Sequence, residues 1–429
     1  MLFDRLLTTY ARQKAEQQFR FPEESKAEMR LPAPQADRCY LLYLHIPFCE
    51  ALCPFCPFHR VLFEEDKARK YFAALRNEIR LMTRKGFRFA EVYVGGGTPT
   101  VLIDELARTI ELLQKEHSVT CISVETNPAH LDWYRVHRLK EIGVNRLSVG
   151  VQSFDDSILK SINRYQRYGS GEQIMEKLIS INGLFDTLNV DMIFNFPGQT
   201  IEQLENDLNT ITESVAVDQV SFYPLMVASA TKRFLEYEMG GIDYDRERYL
   251  YKRISRHMAG YGYGRTSSWC FSRKPGMIDE YITDNDQYLG LGSGAFSYLE
   301  GCFLSSTFSI NRYLALIESG RSGLVRRRQM TLKEQMHYYL LMRLFGGRLD
   351  LADAERVFSG QFERGMQKEL FFLRVTGAIT SNQEGIVLTE SGQYLCVLLM
   401  REFFIGVNNF RDSMRQHIPR ERSSAESAS

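Results

Sequence analysis

The sequence predicts an α/β fold: a parallel sheet with helical crossovers, followed by a mainly helical C-terminal region. Three observations predict it. Short β-branched runs alternate with amphipathic helical stretches from Leu41 to about Met226, and strand then helix, repeated, marks parallel strands joined by crossovers. The chemically distinctive residues fall just after the strands, at the end where α/β folds gather their chemistry. The last hundred or so residues return to helical periodicity, beginning with TLKEQMHYYLLMRLF.

Taken in order, the strand candidates are YLHI at 43–46, EVYV at 91–94, CISVE at 121–125, RLSVGV at 146–151, LNVDMIF at 188–194 and QVSFY at 219–223. Between them, Ala68 to Met82 and Asp104 to Gln114 have helical amphipathicity. Six such units are too few for the closed eight-stranded barrel. CEALCPFC follows the first strand, GGGTPT the second, ETNP the third, QSF the fourth and NFPGQT the fifth. The expected organisation is an N-terminal helical extension over 1–38, the α/β core over 39–230, and a connecting region rich in Tyr, Gly, Arg and Ser over 231–330. A helical domain over 331–415 and a polar tail, expected to be disordered, over 416–429 complete it. In the fourth segment VTGAITSNQEGIVLTESGQYL has the pattern of a hairpin after a helix, as in winged-helix domains. No internal repeat of fixed period is evident.

A chain of 429 residues, 44% hydrophobic, can build a sizeable core in two or three domains. Its 53 basic and 53 acidic residues cancel, so net charge offers nothing to attract nucleic acid or anionic lipid. The longest apolar stretches fall well short of the ~20 residues of a membrane span. The N-terminus has neither an apolar core nor a small-residue cleavage site. These features together predict a cytoplasmic protein with no membrane or nucleic-acid partner. Eight cysteines, three of them crowded together, suit a reducing compartment and a metal or catalytic use.

Those three are Cys49, Cys53 and Cys56, at spacings of four and three. Three thiolates can hold three irons of a cubane [4Fe–4S] cluster and leave the fourth open to another ligand, whereas electron-transfer clusters use four cysteines. The alternative is a zinc site, for which His59 is near enough to serve as fourth ligand. Glycines 95 to 97 end a strand with residues that let a backbone approach a ligand closely. Asp191, an acid inside the apolar run LNVDMIF, requires a partner.

YLHIPFCEALCPFC resembles the C-x₃-C-x₂-C signature of radical S-adenosylmethionine (SAM) enzymes, and specifically of the HemN/HemW-like branch. That branch comprises oxygen-independent coproporphyrinogen III oxidase, heme chaperones, anaerobic heme-utilisation enzymes and class C methyltransferases. The similarity continues through GGGTPT, ETNP, NRLSVGVQSFDDSILKSINR and VDMIFNFPGQT, covering roughly residues 40–226. It implies a partial (β/α)₆ radical SAM barrel in which Cys49, Cys53 and Cys56 bind the cluster and the cofactor is S-adenosylmethionine, one molecule or two. It implies that Phe55 lies against the adenine and that Tyr43 also contacts the cofactor. Gly95, Gly96, Gly97 and Thr98 would hold the methionine moiety, Glu125 ribose hydroxyls or the ammonium, Gln152 the ribose and Arg164 the carboxylate, with Asp191 also at the cofactor. A reducing donor such as flavodoxin or ferredoxin would supply electrons. No catalytic residue beyond the cluster and cofactor is assigned.

The substrate side departs from parts of the branch. Oxidases usually carry a further cysteine where Phe58 stands, and heme chaperones show an H-N-x-x-Y-W motif in the region of YGRTSSWCFSRKPGMIDEY, whereas here no histidine lies between His257 and His337. Tyr261, Tyr263, Arg265, Trp269, Phe271, Arg273 and Lys274 could stack on a flat macrocycle and pair with its propionates, or pack between domains. GLGSGAFSY matches the family's G-x-G-A-x-S loop near a second cofactor or substrate. The resemblance thus implies a radical enzyme acting on a tetrapyrrole, leaning to heme utilisation with methyl transfer coupled to ring opening and iron release. Coproporphyrinogen decarboxylation and a non-catalytic heme chaperone are the alternatives.

Overall fold

The computed structural model describes residues 2–21, 29–274, 287–382 and 385–416. The tail after Gln416 and residues 275–281 of the aromatic, histidine-free stretch lie outside the described residues. Helix α1 (Leu2–Gln18) precedes strand β1 (Tyr40–Ile46), which is buried along its whole length. Helix α2 (Glu65–Arg84) starts with Glu65 and Asp66 and ends with Arg84, which complements the helix dipole; it buries Ala68, Phe72, Leu75, Ile79 and Met82 along one face. Then follow β2 (Phe89–Gly96), α3 (Ile103–Glu116), β3 (Cys121–Thr126), α4 (Trp133–Glu141) and β4 (Arg146–Gln152). Helices α5 (Asp156–Ser161) and α6 (Gly171–Ile181) lead to β5 (Thr187–Phe194), and α7 (Ile201–Asn209) to β6 (Gln219–Pro224). Ser170 with Gln173, and Thr200 with Gln203, close capping boxes that start α6 and α7 sharply after their loops.

β1 to β6 pair in sequence order and all in parallel. Among the described residues the sheet does not stop there. After α8 (Ser229–Glu238) and α9 (Tyr244–Gly260), strands β7 (Gly264–Arg265) and β8 (Cys270–Ser272) add antiparallel to the β6 edge. Strand β9 (Tyr288–Leu291) joins β1 in parallel, and β10 (Phe296–Leu299), β11 (Cys302–Ser306) and β12 (Leu324–Gln329) follow as an antiparallel meander. Residues 231–330, read from sequence as a connecting region, thus widen the sheet to twelve strands with order β12-β11-β10-β9-β1-β2-β3-β4-β5-β6-β8-β7. These added strands are two to six residues long, and the four from Cys270–Ser272 to Cys302–Ser306 are buried throughout, so those four lack the alternation of exposed and buried residues that betrays a strand.

Beyond α10 (Ile310–Glu318), helices α11 (Leu332–Phe345), α12 (Leu351–Val357) and α13 (Gln367–Val375) surround a small sheet. It consists of β13 (Arg348–Leu349), β14 (Ile379–Asn382) and β15 (Gly385–Leu388) in the order β13-β15-β14. The long helix α14 (Glu390–Gln416) then runs back over the large sheet. Helix α1 packs on α14: an added Cβ on Gly406 would lie 2.8 Å from Ala15 Cβ, so a larger residue would push the helices apart. One apolar core fills the space between sheet and crossover helices; a second joins the C-terminal helices to Tyr43, Tyr93, Trp269 and Phe296.

Candidate functional site

An open cavity lies at the C-terminal ends of the parallel strands, where the loops predicted from sequence converge. Cys49, Cys53 and Cys56 all line it, together with Tyr43, Phe55, Gly96, Gly97, Thr98, Glu125, Gln152, Arg164 and Asp191. Gly95 alone among the expected residues stands one step back, behind Glu125.

Each side chain is held by its neighbours. Thr98 Oγ1 donates to Cys49 Sγ at 3.6 Å, and burial pushes the Cys49 thiol up to about 12. Gly97 has no room for a side chain, since a Cβ would meet Phe48 O at 2.7 Å and Cys49 Sγ at 3.0 Å. Glu125 accepts from Tyr93 Oη and from the Gly96 N–H, both at 3.0 Å; burial, and then Asp191, push its carboxyl up to about 7. The Asp191 carboxylate accepts from Ser148 Oγ and Asn189 Nδ2, each at 2.8 Å, which meets the demand for a partner. Gln152 ends β4 with φ 81°, a left-handed conformation that turns the chain at the cavity rim. Arg164 stacks over Tyr168 at 4.2 Å, donates to the Gly150 carbonyl and approaches Cys53 Sγ at 3.6 Å. Phe55 packs in a small cluster with Ile158, Ile162, Phe196, Leu225 and Leu235.

Tyr43 is oriented by a hydrogen-bonded chain. His45 Nε2 lies 2.8 Å from the carbonyl of His59, which can only accept, so His45 carries its proton there. Burial lowers the His45 pKa to about 3, which keeps the ring neutral and leaves Nδ1 as an acceptor for the Tyr43 hydroxyl at 2.9 Å. Tyr43 therefore offers the cavity an oxygen lone pair rather than a proton.

Three further segments named from sequence lie mostly away from the cavity. His59 points away from the cysteines, with Nε2 3.2 Å from Ser293 Oγ, and does not line the cavity. Of the aromatic and basic group from Tyr261 to Lys274, only Trp269 reaches the cavity. Arg273 stacks on Tyr263 and bonds to Asp218 and Thr212, at the opposite end of β6. The GLGSGAFSY loop packs behind β1: Gly292 and Gly294 have positive φ, and a Cβ there would strike the His45 carbonyl at 2.6 Å and the His59 ring at 2.4 Å. The burial of these residues follows from non-local sheet pairing.

Other lining residues were not singled out by sequence. Asn127 and Ile193 could have been, since ETNP and the alternation from Asp191 put them on the facing side of their segments. Tyr223 to Met226 follow β6 as the other loops follow their strands. Phe404, Asn408 and Arg411 come from α14. Their spacing of four and three places them on one helix face, yet nothing local marks that face as the roof of a cavity.

The profile of the radical SAM superfamily matches residues 43–211. Heme chaperone HemW of Bacillus subtilis is 28% identical over 370 residues, covering 82% of this chain and 96% of that protein. Oxygen-independent coproporphyrinogen III oxidase of Cereibacter sphaeroides is 29% identical over 390 residues, covering 84% and 86%. The solved structure of coproporphyrinogen III oxidase (HemN) from Escherichia coli, itself described as a radical SAM enzyme, superposes with TM-score 0.73 at 23% identity, covering 86% of this chain and 91% of that one. Superfamily match over residues 43–211, near full-length relatives of both kinds and a shared fold make the chain similar to HemN and HemW proteins, with a region that matches the radical SAM superfamily.

Proposed function

We propose that the protein is a radical SAM enzyme of tetrapyrrole metabolism, serving heme utilisation with radical methyl transfer, and that Cys49, Cys53 and Cys56 bind its [4Fe–4S] cluster. The observation that carries the cofactor assignment is the meeting of all three cysteines with Glu125, Gln152, Arg164 and Asp191 in one cavity. The donor set fits the group. Three cysteine thiols on the wall of one cavity suit a cluster that takes thiolate ligands and leaves one iron open. Cys49, Cys53 and Cys56 would hold the cluster, which together with bound S-adenosylmethionine would supply radical hydrogen-abstraction chemistry.

The chain's own residues bind and orient. Gly96, Gly97 and Thr98 present backbone at close range, with Gly95 leaving room for the carboxylate behind them. Glu125, fixed by Tyr93 and the Gly96 N–H, and Gln152 at its left-handed turn face the nucleotide side. Arg164, braced on Tyr168, provides a planar fork for a carboxylate. Phe55 and Tyr43 cover the flat part. The cavity's volume is about 270 Å³, close to the lower end of the ~300–1,000 Å³ of a small-ligand pocket.

Tetrapyrrole chemistry is supported by the names of both relatives. Phe58, standing where oxidases usually carry a further cysteine, lines the cavity and favours heme utilisation over decarboxylation. A chaperone role is the second reading, favoured by the 96% coverage of the Bacillus protein. The deciding experiment is anaerobic turnover of the reconstituted protein with heme, protoporphyrin and coproporphyrinogen in parallel, followed by mass spectrometry. Methyl gain on the tetrapyrrole with 5′-deoxyadenosine formation is expected. Loss of carboxyl groups would assign decarboxylation, and stoichiometric uptake of unchanged heme a chaperone. No 5′-deoxyadenosine with any of them would sink the enzymatic reading.

A further inference from the structure

Three arginines line the cavity: Arg60, Arg164 and Arg411. The first two belong to the cysteine loop's surroundings, since Arg60 donates to the Cys53 carbonyl and Arg164 sits against Cys53 Sγ. Arg411 comes from α14, an element of the other half of the chain. Its guanidinium lies over the Phe58 ring at 5.1 Å and the Phe296 ring at 5.4 Å, and Nη1 donates to Asn408 Oδ1 at 2.8 Å. Asn408 is 2% exposed and Arg411 8%. Two aromatic faces and a buried amide therefore hold a charged, planar fork at the cavity wall, in surroundings of low polarity where a charge-assisted bond to an anion is strong. Phe404, one turn before Asn408, stacks near Trp269 at 5.8 Å and adds an apolar surface next to the fork.

From this arrangement we infer that Arg411, positioned by Asn408, is the specificity-determining residue that recognises a carboxylate on the substrate, while Phe58 and Phe404, the latter backed by the buried Trp269, face its flat apolar body. The inference rests on the tetrapyrrole reading above, and deepens it by assigning recognition to the C-terminal helix rather than to the 261–274 segment. It explains why a helix remote in sequence closes the cavity of the α/β core. An arginine serving only as packing glue would read size and shape, not charge; a recognition residue reads the acid and ignores its ester.

The test measures equilibrium binding of heme and of heme dimethyl ester by absorbance titration, using the full-length, cluster-reconstituted protein. The wild type should prefer the acid, and Arg411→Met should weaken heme binding about ten- to hundred-fold with the ester little changed. Arg411→Lys keeps charge but loses the fork and should fall between. Asn408→Asp preserves Arg411 and its packing while placing a competing carboxylate beside the guanidinium; it should also weaken heme selectively, and it keeps the test open should Arg411→Met fail to fold. Variants that retain the wild-type preference, acid and ester weakened alike, or a wild type that binds both equally would each overturn the inference and leave the tetrapyrrole reading standing. A wild type that cleaves S-adenosylmethionine yet binds neither compound would overturn the tetrapyrrole reading itself, and the role of Arg411 with it.

Discussion

At Gly95 the absence of a side chain is a requirement of its neighbour. The Glu125 carboxylate occupies the space a Cβ would need, 2.7 Å from where that atom would stand. Overpacking of this kind costs about 1–3 kcal/mol, and here the carboxylate that would have to move is one proposed to hold the cofactor. Gly95→Ala should therefore raise the Kd for S-adenosylmethionine roughly tenfold or more, measured by calorimetry on the reconstituted protein; an unchanged Kd would mean that Glu125 does not touch the cofactor. The cysteines make the second prediction at this scale. Replacing Cys53 with Ser should remove most of the iron and sulfide that chemical analysis finds in anaerobically reconstituted wild type, whereas Cys121→Ser, outside the cavity, should leave both in place.

Elements are joined by buried polar contacts that can be weighed in the same way. Asp207 of α7 accepts from Ser153 Oγ at 2.8 Å and from the Phe154 N–H at 2.6 Å, and so anchors the turn that follows Gln152. Burial pushes its carboxyl up to about 7, against about 4 in an unfolded chain. Between those values the folded state holds a proton that the unfolded state releases, so stability is fully present below about pH 4 and is lost as pH rises toward 7. The loss is at most about 1.4 kcal/mol for each pH unit of that window. Asp207→Asn keeps an acceptor for the Phe154 N–H and does not titrate. Urea midpoints taken at about pH 5 and about pH 7.5 should drop less in the variant than in the wild type; equal drops would refute the assignment. Gly171, at the start of α6, shows a purely steric counterpart. An added Cβ would sit 1.7 Å from the Phe154 carbonyl, and Gly171→Ala should lower stability by about 1–3 kcal/mol through displacement of that backbone.

Across the whole molecule, a buried charge network ties three distant helices together. Arg401 of α14, 2% exposed, pairs with Glu247 of α9 and with Glu402, both fully buried. Glu402 in turn accepts from Arg12 of α1 at 2.8 Å, and Tyr394 Oη donates to Glu247 at 3.0 Å. Among the described residues, removing the central cation leaves the buried Glu247 with no cation and Glu402 with Arg12 alone, which costs about 3–5 kcal/mol. Arg401→Met should show that loss in chemical denaturation, and adding Glu247→Gln should recover part of it. No helix among the described residues is long and apolar enough to cross a membrane.

By itself the sequence determined the α/β core and which of its loop and strand-end residues share one cavity. Each of its six parallel strands is a local run rich in apolar, aromatic or β-branched residues, and the singled-out residues lie toward or just after the strands' C-terminal ends, so the direction of the chain brings Cys49, Gly96, Glu125, Gln152 and Asp191 to one end. What tertiary structure alone decided is the far wall and the width of the sheet. The short buried strands of residues 264–329 owe their conformation to partners such as β1 and β6 rather than to their own composition, and Arg411 reaches the cavity only because α14 folds back over strands hundreds of residues earlier in the chain. Local patterns are written in neighbouring residues; a contact between distant segments depends on how all the intervening elements pack.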